Sequence, residues 1–572
     1  MFEDTIRREA LKNAIKFKGT ANPKALVGAV IKEHPEAKDF MGDVSKTIAT
    51  IVAEVNSLSL EDQKTELLKI NPDFEKKQKE KKAERKEKRS SLPDLPNAEH
   101  GKVVTRIPPE PSKYNHMGHA MSFLINYLYA KKYAGKVILR FDDTNPEKSS
   151  QEFVDAVHED VINFLEIKPD EIKYASDNME KYYGFAEKLI EKGEAYVCSC
   201  PQEDIKLMRR EGKDCIHRNQ EVKENQKHWD KMKSGDLKEG SVVLRLKIDM
   251  EHKNAVMRDP VIYRLSYASH YKVGTKYKVW PMYDFETAIE EGLCGVTHVM
   301  RSNEFDSRIE LQNYIANLLG FPEVTYKHYG RYNIVGATTQ GREIRALIET
   351  RDYIGWDDPR LVTIRALRRR GIVKEAFYEL AQSIGLSKTQ TNLEFSVLAA
   401  VNRGILDRNA KRLYAIRDPV EILVSKIPKD IKSFSLAYHP EDDKGARQLI
   451  ATEKYFIEKK DHDEVPVGGF LRLKDAMNIK KVSKTEYEFV SSAYDDYRAF
   501  SDKHGIVQFV PKTDDLENAE LFMPDITTQK LICEPNIRDL KVGDVVQFER
   551  FAFCRLDDIN EDGTRVFWFT HD

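Results

Sequence analysis

The stretch from Pro108 to Ala120, Pro-Pro-Glu-Pro-Ser-Lys-Tyr-Asn-His-Met-Gly-His-Ala, constrains this chain more than any other feature. A strand-like run, Val103-Val104-Thr105-Arg106-Ile107, precedes it, and Met121 to Tyr129 has the apolar periodicity of a helix. A strand that turns tightly into a helix aims free backbone N–H groups and the positive helix end at one point, which makes an anion site. Gly118 lets that backbone approach a ligand closely, and His116 and His119 carry ring N–H groups that can donate to phosphate oxygens. Alone, a His-x-Gly-His string is weak evidence. Its surroundings decide.

From about residue 100 to 350, strands and helices alternate. Lys136-Val137-Ile138-Leu139-Arg140-Phe141 reads as a buried strand, and Ser150 to Phe164 and Tyr182 to Lys192 read as amphipathic helices. That alternation predicts an α/β, mainly parallel, doubly wound sheet of the Rossmann type, with its ligand at the carboxyl ends of the strands. Residues 1–90 read as a helical N-terminal domain with a basic linker. Ala10, Leu11, Ala14 and Ile48, Ile51, Val52, Val55 recur at helical spacing there. Lys76 to Arg89 holds nine basic and three acidic residues. Two readings fit it, a solvated linker helix and a phosphate-contacting arm. Ser90 to Pro96 reads as a hinge, and residues 351–410 as a helical connector with basic clusters. Residues 411–572 change texture to short strands such as Glu486–Val490, Gly505–Val510 and Val545–Phe548, separated by Gly, Pro and Asp, which predicts β-barrels.

With 41% hydrophobic residues in a chain of 572, packed cores are expected. No apolar run approaches the roughly 20 residues of a membrane span. The start, Met1-Phe2-Glu3-Asp4-Thr5, lacks a basic region followed by an apolar core, so a cytoplasmic location is expected. A net charge of −2 neither favours nor excludes a nucleic-acid partner. Six cysteines in so long a chain do not make a disulfide framework. Instead Cys198-Ser199-Cys200 and Cys215-Ile216-His217 supply two close pairs of ligands, the spacing of a structural Zn²⁺ site. Cys294, Cys533 and Cys554 have apolar neighbours and read as core.

The opening stretch is followed by Arg140-Phe141-Asp142-Asp143-Thr144-Asn145-Pro146, then by Val256-Met257-Arg258-Asp259-Pro260 and Trp280-Pro281-Met282-Tyr283-Asp284-Phe285. Gly355-Trp356-Asp357-Asp358-Pro359-Arg360 and Leu367-Arg368-Arg369-Arg370-Gly371 come next. Together, in this order, these blocks resemble the signatures of class I aminoacyl-tRNA synthetases of the glutamyl/glutaminyl group. The resemblance implies a ligase in which ATP's phosphates lie at His116, Gly118 and His119, with Mg²⁺ shielding them. The region 195–300 would be an acceptor-binding insertion, and the β-rich tail an anticodon-binding region. Barrels there resemble the archaeal/eukaryotic type of glutamyl enzyme.

Choice of amino acid rests, by resemblance, on Arg301, which follows Thr297-His298-Val299-Met300. A small neutral residue stands there in glutaminyl enzymes, whereas a guanidinium suits the side-chain carboxylate of L-glutamate. Arg106 and Tyr283 match other substrate-contacting positions, and Asp142 matches the holder of the α-ammonium group. One departure stands out. The family's mobile loop carries a phosphate-binding lysine, and here Thr338-Thr339-Gln340-Gly341-Arg342 has glycine at that position. Either Arg342 supplies the charge from one residue further on, or the loop contributes less. Arg365, Arg368, Arg369 and Arg370 are expected to touch tRNA. The expected partner is tRNA(Glu), with tRNA(Gln) left open, and a monomer is favoured.

Overall fold

The computed structural model describes residues 2–17, 19–72, 74, 92–441 and 444–572. The basic run Lys76–Arg89 lies outside them. Two compact units emerge, Met1–Ser91 and Leu92–Asp572. The first is built of helices α1 (Glu3–Lys16), α2 (Pro23–Glu33), α3 (Met41–Ser57) and α4 (Leu60–Ile70). Their facing stripes, including Ala10, Leu11, Ala14, Ile48, Val52 and Val55, form one buried core. Local signals set the helix starts. Asn22 accepts from the Lys24 N–H before Pro23, and Ser59 accepts from Asp62.

In the second unit β1 (Val104–Ile107), β2 (Lys136–Phe141) and β3 (Glu171–Tyr174) form a parallel sheet in sequence order. On the other side of β1, the Thr297 N–H donates to the Val104 carbonyl (3.0 Å), leading into the parallel pair His298–Val299 and Thr325–Tyr326. Helix α5 (Met117–Lys132) joins β1 to β2. β2 is buried along nearly its whole length because helices cover it, and each fully buried Leu, Ile or Phe contributes roughly 1.5–3 kcal/mol. Ser150–Phe164, expected as one helix, is α6 (Gln151–His158) followed by a π-helical turn, Glu159–Phe164. Such turns often mark functional sites.

Leu361–Ile405 holds the helices Ile364–Arg369 and Lys374–Ile384 and the start of Phe395–Asn409, joined by turns and by the strand Thr391–Glu394, which pairs in parallel with Tyr332–Val335. This segment shares its core with the sheet, since Leu367, Phe377, Leu380 and Leu398 pack in the same cluster as Leu124, Leu139 and Val157. Leu92–Pro96, read as hinge, is docked instead. The Leu95 N–H donates to the Tyr133 hydroxyl (2.9 Å), and Lys132 binds Asp94 (2.8 Å). Within the region 195–300 lies a four-stranded antiparallel sheet with its own core around Trp229, Tyr263 and Trp280.

After residue 410 come two seven-stranded sheets. The end strands of one are Lys411–Leu413 and Ala415–Ile416, and those of the other are Lys503–Val507 and Val510–Pro511. In both cases the two ends are adjacent along the chain, so each sheet must curl almost onto itself. These are barrel-like. Gly505–Val510 is therefore not one strand. Phe509 turns into the core of one sheet, and the Gln508 amide donates to the Ala415 carbonyl (2.9 Å). No helix among the described residues is long and apolar enough to cross a membrane.

Candidate active site and metal centre

The turn after β1 carries its histidines in a reciprocal cap. His116 Nδ1 accepts from the Gly118 N–H (3.0 Å), and His119 Nδ1 accepts from the His116 N–H (3.1 Å). With both Nδ1 atoms accepting, the proton of each neutral ring sits on Nε2, the nitrogen left to donate. Burial, aided by the nearby Lys113 charge, pushes His116 down to about 3, and burial pushes His119 well below its ordinary value. A Cβ at position 118 would stand 2.9 Å from His116 Cε1, so glycine makes room for that ring. This reason is absent from the sequence reading, which assigned Gly118 to ligand approach. The turn is pinned from outside. Met117 N–H donates to the Val362 carbonyl (2.9 Å), Ile364 N–H to that of Asn115 (2.9 Å), and Asn115 Nδ2 to Asp160 Oδ2 (3.2 Å).

His116, Gly118 and His119 line a cavity of about 610 Å³ together with Arg106, Tyr283 and Arg301. Arg301 is 6% exposed. Its Nε donates to His328 Nε2 (3.1 Å), Nη2 to Gln312 Oε1 (2.7 Å) and Nη1 to the Tyr283 hydroxyl (3.3 Å), while its head lies over Phe305 and Tyr326. Every one of these partners is neutral. His328 is held neutral by burial, its Nδ1–H donating to Asp306, and Gln312 is oriented by Asp284 (3.0 Å). Among the described residues no carboxylate pairs with Arg301. Glu291 feels its charge but makes no direct contact with it, and a buried cation without a directly paired carboxylate, facing a cavity, is a receptor for an anion.

Arg106 is a different case. Its Nε donates to Glu291 (2.7 Å), which also faces Arg140 (3.4 Å), and Arg140 in turn grips Asp142 through Nε (2.6 Å) and Nη2 (3.2 Å). Asp142 lines a neighbouring cavity of about 560 Å³ that shares Pro108, Glu110 and Tyr283 with the first. Glu286 lines it too. Its Oε2 accepts from Thr144 (2.8 Å), Oε1 has no hydrogen-bond partner among the described residues, and burial holds its carboxyl well above the usual range. Sequence reasoning missed Glu286, Gln312 and His328. Glu286 lies three residues after Tyr283, on the same helix face, which was the available signal.

Arg342 does not join this group. It is exposed at the start of the Gly341–Glu349 helix and is absent from the cavity wall, to which Thr339 and Gln340 contribute. The arginine cluster differs from expectation as well. Arg370 is buried and donates to the Pro359 and Thr570 carbonyls (both 3.0 Å), and Arg369 pairs with Asp557 (2.7 Å) and Asp357 (2.8 Å) over Trp568. These two hold a barrel-like sheet to the core, leaving Arg365 and Arg368 at the surface side.

Cys198, Cys200, Cys215 and His217 converge, with all four ligand atoms within 4.8 Å of one another. Cys198 Sγ lies 3.8 Å from Cys215 Sγ, and Cys200 Sγ 3.3 Å from His217 Nδ1. His217 Nε2 meets Ser199 Oγ (2.9 Å), which turns Nδ1 toward the sulfurs, and Arg245 stands 3.7 Å from Cys215 Sγ. Four donors at these separations suit a tetrahedral metal ion. Cys533 and Cys554 are buried as expected, whereas Cys294 is half-buried beside Glu290.

Residues 102–408 match the family model described as tRNA synthetases class I (E and Q), catalytic domain. Residues 410–493 and 482–557 match two models of the anticodon-binding domain of the same class. The chain belongs to the class I aminoacyl-tRNA synthetases of the glutamyl/glutaminyl group. Glutamate–tRNA ligases are among its relatives. The glutamate–tRNA ligase of Pyrococcus abyssi is 41% identical over 569 residues, 97% of each chain. That of Nitrosopumilus maritimus is 39% identical over 566 residues, 97% of this chain and 98% of the relative. That of Methanocaldococcus jannaschii is 35% identical over 563 residues, 98% of each.

Proposed function

We infer that the chain attaches L-glutamate to tRNA in an ATP-dependent reaction through a glutamyl-adenylate. The observation that carries this is Arg301, a buried guanidinium without a carboxylate partner among the described residues, in the cavity that His116 and His119 also line. The side-chain carboxylate of glutamate is the anion it would receive. Asp142 and Glu286, beyond Tyr283, would hold the α-ammonium group, and Arg106 would help set the electrostatics of the same wall. The α-carboxylate oxygen attacks the α-phosphorus of ATP and pyrophosphate leaves. A ribose hydroxyl of the tRNA end then attacks the adenylate carbonyl and AMP leaves. The Nε2–H groups of His116 and His119, with the N-terminus of α5 at Gly118, would stabilise charge on the phosphoryl oxygens during the first step. Synthetases of this class use ATP with Mg²⁺, which neutralises phosphate charge. Arg342 was the sequence candidate for a further phosphate contact, and its exposed position gives that role little support.

The Cys198, Cys200, Cys215, His217 cluster would hold a structural Zn²⁺ that clamps the insertion, a closed site with no free position. tRNA(Glu) is the expected partner, gripped by the 195–300 insertion at its acceptor end and by the barrel-like sheets at its anticodon. We propose a cytoplasmic monomer, organised as a helical domain 1–90, catalytic domain 100–350, connector 351–410 and anticodon region 411–572. A glutaminyl enzyme is not favoured, because an amide leaves Arg301 unpaired. Acylation of separate tRNA(Glu) and tRNA(Gln) transcripts with labelled glutamate and glutamine tests the reading. Glutamate on tRNA(Glu) is expected, and its presence or absence on tRNA(Gln) sets the tRNA range. Glutamine incorporation, or no incorporation of either, overturns it.

A further inference from the structure

Four cations other than histidine line the main cavity: Arg106, Lys113, Arg301 and Arg331. Three are accounted for. Arg106 is spent on Glu291, Arg331 faces Glu304 (3.5 Å), and Arg301 sits in its cage of neutral groups. Lys113 is the remainder. It lies in the turn between β1 and His116, half-buried, with no ion pair or hydrogen bond among the described residues. Desolvation holds its ammonium below the usual lysine range against the opposing pull of the nearby Glu110 carboxylate, and its charge depresses both His116 and His119 in the same cavity.

Gly341 lies directly against the stem of Lys113. A Cβ built on Gly341 would stand 3.4 Å from Lys113 Cβ and 3.7 Å from its Cδ. The lysine stem thus runs beside the place where a side chain at 341 would leave the backbone. Position 341 holds no side chain, and Arg342 is exposed and is not among the residues that line the cavity.

We propose that Lys113 is the phosphate-contacting cation of the ATP site, supplying from the β1 side the charge that position 341 lacks. A compact ammonium in a partly desolvated wall binds phosphate oxygens as a point charge, and it strengthens as charge builds on them. This rests on the ATP-dependent reading above and adds to it a residue that the reading does not need.

The test is pyrophosphate exchange with tRNA and saturating glutamate, comparing wild type with Lys113→Met, Lys113→Arg and Arg342→Ala, each checked by thermal unfolding. Lys113→Met keeps the stem and removes the charge. Its exchange rate is expected to fall roughly 10- to 100-fold, the worth of one charge-assisted contact, with the KM for glutamate unchanged. Lys113→Arg is expected to keep most of the activity and Arg342→Ala to keep all of it. Gly341→Lys in the Lys113→Met background is expected to return exchange. Wild-type exchange in Lys113→Met, or an equal loss in Arg342→Ala, would overturn the proposal. No recovery with Gly341→Lys would overturn the shared position. A wild-type protein without exchange would instead refute the ATP-dependent reading itself.

Discussion

Removing the charge of Arg301 tests the choice of amino acid directly. A guanidinium has five N–H groups, and here Nε–H, one on Nη1 and one on Nη2 are spent on His328, Tyr283 and Gln312. One N–H remains on each terminal nitrogen, available to a carboxylate. Arg301→Gln keeps a side chain able to bond these neutral neighbours and deletes the charge. A shielded pair of this kind is worth about 3–4 kcal/mol, which corresponds to roughly two to three orders of magnitude in kcat/KM for glutamate. The contact exists before and during the chemical step, so the loss should fall on KM more than on kcat. Preference for glutamate over glutamine should collapse with it. Because a buried cation without a directly paired carboxylate disappears, the thermal midpoint should hold or rise. The assay is pyrophosphate exchange with tRNA present, titrating glutamate and glutamine in parallel. A fall in kcat/KM below about tenfold, with preference for glutamate retained, would refute the reasoning.

Two other expectations follow from buried groups. Metal analysis should find one zinc per chain, and Cys215→Ser should lose it and lower the thermal midpoint; wild-type protein free of metal would refute the site. Asp160, in the π-helical turn beneath His116, is pushed up to about 7 by burial. A carboxyl raised on folding contributes stability that is full below its ordinary value of 3.8 and is lost as pH rises to about 7. Asp160→Asn, which mimics the protonated form, should therefore match wild type near pH 4 and exceed it by at most about 4 kcal/mol above pH 7. Denaturant unfolding across that range would show it, and a difference independent of pH would count against it.

Local chemistry wrote much of this molecule legibly. β1, the capped turn and α5 lie where the strand-like run, the His-x-Gly-His string and the apolar periodicity place them. The four metal-site residues could be paired by spacing alone because each pair is separated by a single residue along the chain. Non-local pairing was harder to read. Thr391–Glu394 is too short to announce itself inside a helical stretch, and it becomes a strand because Tyr332–Val335 offers an edge. Gly505–Val510 reads as one strand, yet the curling of its sheet splits it between two ends.

The functional residues divide along the same line. Sequence by itself determined which side chains are present at the turn and at position 301, and that position 341 has none. Only the tertiary structure decided which charges are spent. Arg106, Arg369 and Arg370 read as free cations and are consumed by Glu291, Asp557, Asp357 and backbone carbonyls, whereas Arg301 and Lys113 keep theirs. The reason is physical: a cation's availability depends on desolvation and on partners far away in sequence, and those are properties of the packed chain.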